Sequence, residues 1–500
     1  MPNRPHRTNK KLSGLAATAA LLATLGGTSA PASASTKVTL TLQLQPNTGS
    51  ISSSDNSVIA SLTSQYEKAH PNVTVNWLPV TTTSITTANA TLVSQASGGD
   101  APDVVWEQYN PLLSGSIPAG VLQNLKPWLE KPDPYVPGNK KWLSLFAKSL
   151  LPYMTSPNGQ MQILLGSNVE TGMFYNKADF AKAGIKSAPA TWNVFMADLA
   201  KLKKAGITPF FYAYGGLCNP SWYERLASTE LLHGVLSKFM VDHSQVTSGT
   251  DVVSGIEKGI ISMKDPRYAE VWKLLAALKP YMAGGGSSYD ACSNPNTTTP
   301  PLSPQPGFVQ GKYAIVWGGT WFIPQLGAAG FQGKYGIFPE PMITKATTPF
   351  SSDVSTVGVI GGPNGTGQWS VTSQKADHSM TPAKTAVVMN FLAWLFTPKH
   401  LGAFVNNANL GDIPTEPAAP TPSIPGMSSL VPKTNPPTVV DIALDDVLTT
   451  NTTNTGLRDL TEFLDNGESF TSFASQWDSN LQQGAVAYAA QNHLKLSSYK

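Results

Sequence analysis

The chain runs to 500 residues, enough for two or three domains with buried cores, and only 13% of it is charged. Its formal charge of +3 comes from Arg4, Arg7, Lys10 and Lys11, which no acid offsets among the first 34 residues; without them 30 basic groups face 31 acidic ones, a net of −1. A near-neutral body with no later Lys/Arg run excludes an electrostatic footprint for nucleic acid.

The basic start leads into an apolar Ala/Leu stretch from Leu12 to Leu25, then into Ala32-Ser33-Ala34, which fits the small-x-small cleavage rule. This predicts a secretory signal peptide over residues 1–34. Ser13, Gly14, Thr18 and Thr24 break the apolar stretch, and it is shorter than the ~20 residues a membrane span needs. No Cys stands just after the leader, so no lipid anchor is expected, and the mature chain is expected outside the cell or associated with the cell envelope.

Lys37 to Gln45 alternates apolar and polar with period two, the mark of a half-buried strand. Ser57 to Lys68 reads as a helix with Val58, Ile59, Leu62 and Tyr66 on one face, and Val73 to Leu78 alternates again. Asp103-Val104-Val105-Trp106 suits a short buried parallel strand. Strand and helix in alternation are the α/β signature. The pattern restarts with strands at Gln162 to Leu165 and Met173 to Tyr175, then a short helix from Lys177 to Ala183. Thr191 is expected to cap a helix through Lys204, with Trp192, Phe195, Leu199 and Leu202 inward. Tyr268 to Leu278 is another amphipathic helix, and Gly284 to Pro306 reads as loop. A strand is expected over Lys312 to Trp317 and a helix over Thr381 to Leu395; Pro414 to Pro437 is Pro-rich and irregular. Asp459 to Leu464 and Phe470 to Ala490 close the chain as helices.

Cys218 and Cys292 are the two cysteines. In an oxidising compartment an isolated pair is most simply one disulfide, the alternative being two separate buried thiols. No H-E-x-x-H, G-x-S-x-G, C-x-x-C or phosphate-loop pattern occurs, so no cofactor is expected. Asp445-Asp446 stand side by side in a stretch that reads as helical, so their side chains should diverge rather than act as a pair. The positive chemical signal is aromatic: 12 Trp and 15 Tyr, several beside Gly or Pro, with Trp317-Gly318-Gly319-Thr320-Trp321 the clearest. Flat apolar sugar faces pack on indole rings that loops hold at clefts.

Several short segments recur in a fixed order: Tyr66-Glu67-Lys68-Ala69-His70-Pro71-Asn72-Val73, Gly98-Gly99-Asp100-Ala101-Pro102-Asp103-Val104-Val105, Phe174-Tyr175-Asn176-Lys177, Pro189-Ala190-Thr191-Trp192, Phe308-Val309-Gln310-Gly311-Lys312-Tyr313-Ala314-Ile315 and Leu410-Gly411-Asp412-Ile413-Pro414-Thr415. In order and spacing they resemble the extracellular solute-binding proteins of ATP-driven sugar importers, the group that contains maltose-binding protein. The resemblance implies a two-lobe periplasmic-binding-protein-like α/β fold with strands that cross between the lobes and a ligand cleft between them. Lobe one would take residues 37–165 and 360–430, and lobe two 166–359 and 431–500. It implies a monomer that catches a small sugar and passes it to membrane permease subunits of an ABC importer, with no chemistry of its own.

The same comparison selects ligand-contact candidates. Trp321 matches the tryptophan of the family's Gly-x-Trp segment, with Trp317 just before it. Gln45 and Asn47 end the first strand at the cleft edge, and Glu107, Tyr109 and Asn110 follow the Pro-Asp-Val-Val strand. Asn168 and Glu170 lie at the first crossover. Trp222, with Tyr223, is placed in a loop of lobe two, and Trp369 near the second crossover. Trp192, Asn176 and Pro102-Asp103 are expected to be structural, and His70 a surface turn residue. The rival readings are another solute in the same fold, such as a polyamine, a phosphate ester or a metal complex, and a secreted glycoside-acting enzyme.

Overall fold

Leu40 and Leu42 alternate with Thr39, Thr41 and Gln43, and in the computed structural model this alternation becomes a strand, β1 (Val38–Gln43), with both leucines buried. The structure describes residues 37–43, 57–78, 85–106, 117–155, 159–241, 245–288, 304–358, 360, 368–405, 412–420, 427–431 and 437–499. All of them after Lys37 belong to one compact unit, Val38–Lys500.

Two five-stranded sheets organise this unit. The first has the order β2-β1-β3-β11-β4, where β2 is Val73–Leu78, β3 Val104–Trp106, β4 Leu164–Leu165 and β11 Gln368–Val371. β1 runs parallel to β2 and β3, whereas β11 is antiparallel to both β3 and β4. The second has the order β10-β6-β9-β7-β8, with β6 Thr171–Asn176, β7 Phe210–Ala213, β8 Met282–Gly285, β9 Ile315–Gly319 and β10 Tyr335–Phe338. Here β7, β8 and β9 are parallel, and β6 is antiparallel to β9 and β10. A two-strand ribbon joins β5 (Ser167–Asn168) to β12 (Ile413–Pro414).

The chain therefore leaves the first sheet after Leu165, builds the second sheet, and returns at Gln368 to insert β11 between β3 and β4. It leaves again after β12, and the C-terminal helices Thr450–Asp465 and Phe470–Gln491 pack beside β8 and the helix Gly249–Glu257 of the second sheet.

Most expected elements form with small shifts of boundary, but the helix expected over Asp459 to Leu464 begins nine residues earlier, at Thr450, and the strand expected over Gln162 to Leu165 shortens to Leu164–Leu165. Asn176 caps the helix Lys177–Lys182 by accepting from the backbone of Ala178 and Asp179. The helix Trp192–Lys204 buries Trp192, Phe195, Leu199 and Leu202 as its spacing requires, but its N-cap Thr191 makes no side-chain cap bond. Asp103 is fully buried between the Thr41 backbone and the Lys384 ammonium, which stands 2.6 Å away.

Other expectations are corrected. The stretch 284–306 is not all loop: Gly284 and Gly285 end β8, and Pro304–Val309 is helical. His70 is half-buried, its ring stacked on Tyr66 at 4.2 Å and bonded to the Tyr135 hydroxyl at 3.1 Å. Asp445 and Asp446 are not in a helix: Asp446 has φ +55°, and Asp445 accepts from Arg225 at 3.1 Å.

Trp222 and Tyr223 belong to a helix, Cys218–Leu232, rather than a loop. Pro220 suggests a turn but sits in the first helical turn, where its missing N–H has no intrahelical partner to lose. Every residue of this helix from Asn219 to Leu232 is buried, and its polar side chains bond the returning chain. Glu224 accepts from the backbone of Ala443 (3.2 Å) and Leu444 (2.9 Å), Thr229 from Val440 (2.9 Å), and Glu230 from Ile343 (2.7 Å). Arg225 donates to Asp441 (2.5 Å), Asp445 (3.1 Å) and the Ile360 carbonyl (2.5 Å). One helix thus holds both the 343–360 and the 440–445 segments.

Candidate functional site

In open α/β sheets ligands bind beyond the carboxyl ends of the parallel strands. In the first sheet those ends are Gln43, Leu78 and Trp106, and in the second Ala213, Gly285 and Gly319. The crossings join the two sheets at strand ends. β4 ends at Leu165, opposite Gln368, and β6 begins at Thr171, opposite Gly319. The first crossover is fixed by the β5–β12 ribbon and by Thr415, whose N–H donates to the Gly166 carbonyl at 3.1 Å.

Asn168 and Glu170 lie on this crossover, both buried, and the Asn168 amide donates to the Glu170 carboxylate. The Glu170 carbonyl accepts from the Thr320 N–H at 2.9 Å, which ties the crossover to the end of β9. Glu340, two residues past β10, reaches the same place. It accepts from the Trp317 indole at 3.0 Å and from the Thr171 hydroxyl. Burial raises both carboxyls, and the Glu340 charge raises Glu170 further. Glu340 is pushed up to about 7 by burial, against the lowering effect of its bonds from Thr171 and Trp317. Near neutral pH the two acids therefore carry fewer than two charges.

Three tryptophans adjoin this polar group. Trp222 lies 5.8 Å from Trp317 and 5.9 Å from Trp321, centroid to centroid. Trp317 and Trp222 are buried, and Trp321 is half-buried. The Trp321 ring lies over Gly319 so closely that a Cβ there would fall 1.8 Å from it. An indole braced on one side by backbone and on another by a second indole is a rigid stacking platform.

Of the residues picked out in the sequence, Asn168, Glu170, Trp222, Trp317 and Trp321 come together here. Trp369 does not join them: it is fully buried in the first sheet, donates to the Gln43 carbonyl at 2.9 Å, and packs on Trp77, Phe396 and Phe404. Gln45, Asn47, Glu107, Tyr109, Asn110 and Cys292 lie outside the described residues. Glu340 and Thr320 were not anticipated. Glu340 meets Thr171 across 169 residues of sequence, through strand pairing that no local pattern announces. No cluster of three or more metal-ligating side chains occurs among the described residues, and no described helix is long and apolar enough to cross a membrane.

A family model described as bacterial extracellular solute-binding protein matches residues 49–400. The chain belongs to that family. No curated protein matches this solute-binding protein in sequence. Among solved structures it is similar to a chitin oligosaccharide binding protein, with 20% identity and a TM-score of 0.57 over 90% of this chain and 99% of that one. It is also similar to the apo form of RafE from Streptococcus pneumoniae, with 16% identity and a TM-score of 0.61 over 90% and 99%. RafE in complex with raffinose gives a TM-score of 0.59 at the same identity, over 90% and 100%. A family 1 extracellular solute-binding protein from Bifidobacterium longum subsp. infantis matches at 17% identity and a TM-score of 0.58 over 90% and 100%. These likenesses establish the two-lobe α/β fold of this solute-binding protein.

Proposed function

We propose that the protein captures a carbohydrate, an oligosaccharide, between its lobes and delivers it to the permease of an ABC importer without acting on it chemically. The carrying observation is the platform of Trp222, Trp317 and Trp321 beside the polar crossover group of Asn168, Glu170 and Glu340. A pyranose offers an apolar face to an indole and hydroxyls to neighbouring amides and carboxyls. The sugars named for the chitin oligosaccharide binding protein and RafE support the same ligand class. Lobe one comprises residues 37–165 and 360–430, and lobe two 166–359 and 431–500. The ligand touches both lobes, so it binds the closed form more tightly and shifts the population toward it. The protein acts as a monomer outside the cell after loss of residues 1–34, and Cys218 pairs with Cys292 within lobe two.

A second reading, a cationic solute such as a polyamine, draws on the two enclosed carboxyls at the crossover, which could pair with an ammonium. The test is thermal unfolding of the purified protein with raffinose, chitin oligosaccharides, maltotriose and putrescine. A ligand at 100 times its Kd stabilises by ~2.7 kcal/mol. A sugar should raise the midpoint in the parent and not in Trp321→Ala. A rise with putrescine alone would move the function to cations.

A further inference from the structure

Gln368 is the first described residue after the second crossover and the first residue of β11. It pairs with Leu165, the last residue before the first crossover, and lies one position beyond the Trp369–Trp106 pair, at the carboxyl end of β3. It therefore stands where two crossovers leave the first sheet, at the edge where such sheets bind ligands.

Side chains alternate along a strand, so Gln368 and Ser370 share the face opposite Trp369 and Val371. Trp369 is committed to the aromatic core, and Ser370 donates to the Gln162 carbonyl at 2.7 Å. Gln368 differs from both. It has no exposed surface, and neither its amide nitrogen nor its amide oxygen has a hydrogen-bond partner. Buried polar groups are almost always bonded, and a carboxamide with donor and acceptor both idle is costly to hold. Two further buried oxygens are idle: Asn168 Oδ1 on the first crossover, and Thr320 Oγ1 at the end of β9, whose N–H is bonded to the Glu170 carbonyl of that crossover. A sugar hydroxyl both donates and accepts, as these groups require.

We infer that Gln368 is the lobe-one residue that reads ligand hydroxyls, its carboxamide unpartnered within the fold and satisfied when a polyol enters as the lobes part. This rests on the carbohydrate reading above. An ionic ligand would not use a neutral amide of both polarities in this way. An amide there for structure would already be bonded. The same residue should cost stability when empty and supply affinity when filled, a trade found where sites hold destabilising groups.

The experiment compares Gln368→Leu and Gln368→Glu with the parent in the full chain. Titration calorimetry with raffinose, a chitin oligosaccharide and maltotriose gives affinity, and unfolding without sugar gives the empty-state midpoint. For the sugar that binds the parent, Gln368→Leu should weaken binding at least tenfold, ~1.4 kcal/mol, while its empty-state midpoint holds or rises. Gln368→Glu, which keeps only acceptors, should also weaken binding. Affinity of the leucine variant within twofold of the parent overturns the inference and leaves the carbohydrate reading standing. A fall of several degrees in its empty-state midpoint overturns it too, since the amide would then be bonded within the fold. If no sugar binds the parent, the carbohydrate reading fails, and the role of Gln368 in reading hydroxyls fails with it.

Discussion

Arg225→Met is the most demanding test of how the returning segments are tied to the helix Cys218–Leu232. The guanidinium is buried and makes its three bonds to Asp441, Asp445 and the Ile360 carbonyl, so it joins two returning segments to one helix. Methionine fits the volume but leaves two carboxylates enclosed together and a carbonyl with no donor. Removing one partner of a buried ion pair costs about 3–5 kcal/mol, and the loss of the carbonyl's donor adds to it. The cost should depend on pH. Burial raises Asp441 well above the usual carboxylate range, and in the parent the Arg225 charge opposes that rise. Without the arginine, Asp441 is protonated in the fold up to a higher pH, and a neutral acid is tolerated there. The folded variant then holds a proton that the unfolded chain releases, so its stability falls as pH rises. Urea unfolding followed by far-UV circular dichroism at pH 5 and pH 8 reads this directly. The loss should be largest at pH 8, and adding Asp441→Asn and Asp445→Asn should recover much of it. A loss below ~1 kcal/mol at pH 8, or one equal at both pH values, would refute the view that this buried charge holds the segments.

Three further outcomes follow from the geometry. Gly319→Ala places a Cβ where the Trp321 ring lies; sugar affinity measured by calorimetry should fall at least tenfold, while circular dichroism stays that of the parent. Glu416 is buried with both carboxylate oxygens unpartnered, and burial, with the Asp133 charge, pushes it up to about 9. The folded chain keeps this proton after the unfolded chain has lost it, so the stability it confers is full below about pH 4.5 and is lost as pH rises toward 9. Glu416→Gln should flatten that part of the unfolding profile. Reducing a Cys218–Cys292 bridge should lower stability by about 4 kcal/mol, from the loop of some 75 residues it closes. Equal unfolding midpoints with and without dithiothreitol would remove the bridge.

The elements legible in the sequence were those with one wet and one dry face. β1, β2 and the helix Ser57–Ala69 show clean alternation or a clean stripe because solvent meets one side. The helix Cys218–Leu232 shows neither. It is dry all round, and Asn219, Glu224, Arg225 and Glu230 in its interior read as surface or loop until their distant partners are known. β11 is four residues long and begins directly after a Gly-rich run, so no window carries its period. Trp317 and Trp321 stood out as indoles beside glycines, and likeness to a family sharpened Trp321 and added Asn168 and Glu170. Glu340 becomes a neighbour of that group only through the antiparallel pairing of β10 with β6, and Gln368 meets Leu165 only through that of β11 with β4.

The interlaced chain has a consequence for synthesis. The helix Cys218–Leu232 is complete less than halfway through translation, yet the backbone groups that Glu224 and Thr229 bond belong to residues 440–444. Until the ribosome has added some two hundred further residues, the helix carries carboxylates and a guanidinium that its final surroundings would not tolerate unpaired. The second sheet can gather early, but it cannot close around this helix. Domains usually fold in the order they are made; here the half whose synthesis begins second must wait for the end of the message, and a nascent chain arrested near residue 430 should remain open to protease at this helix.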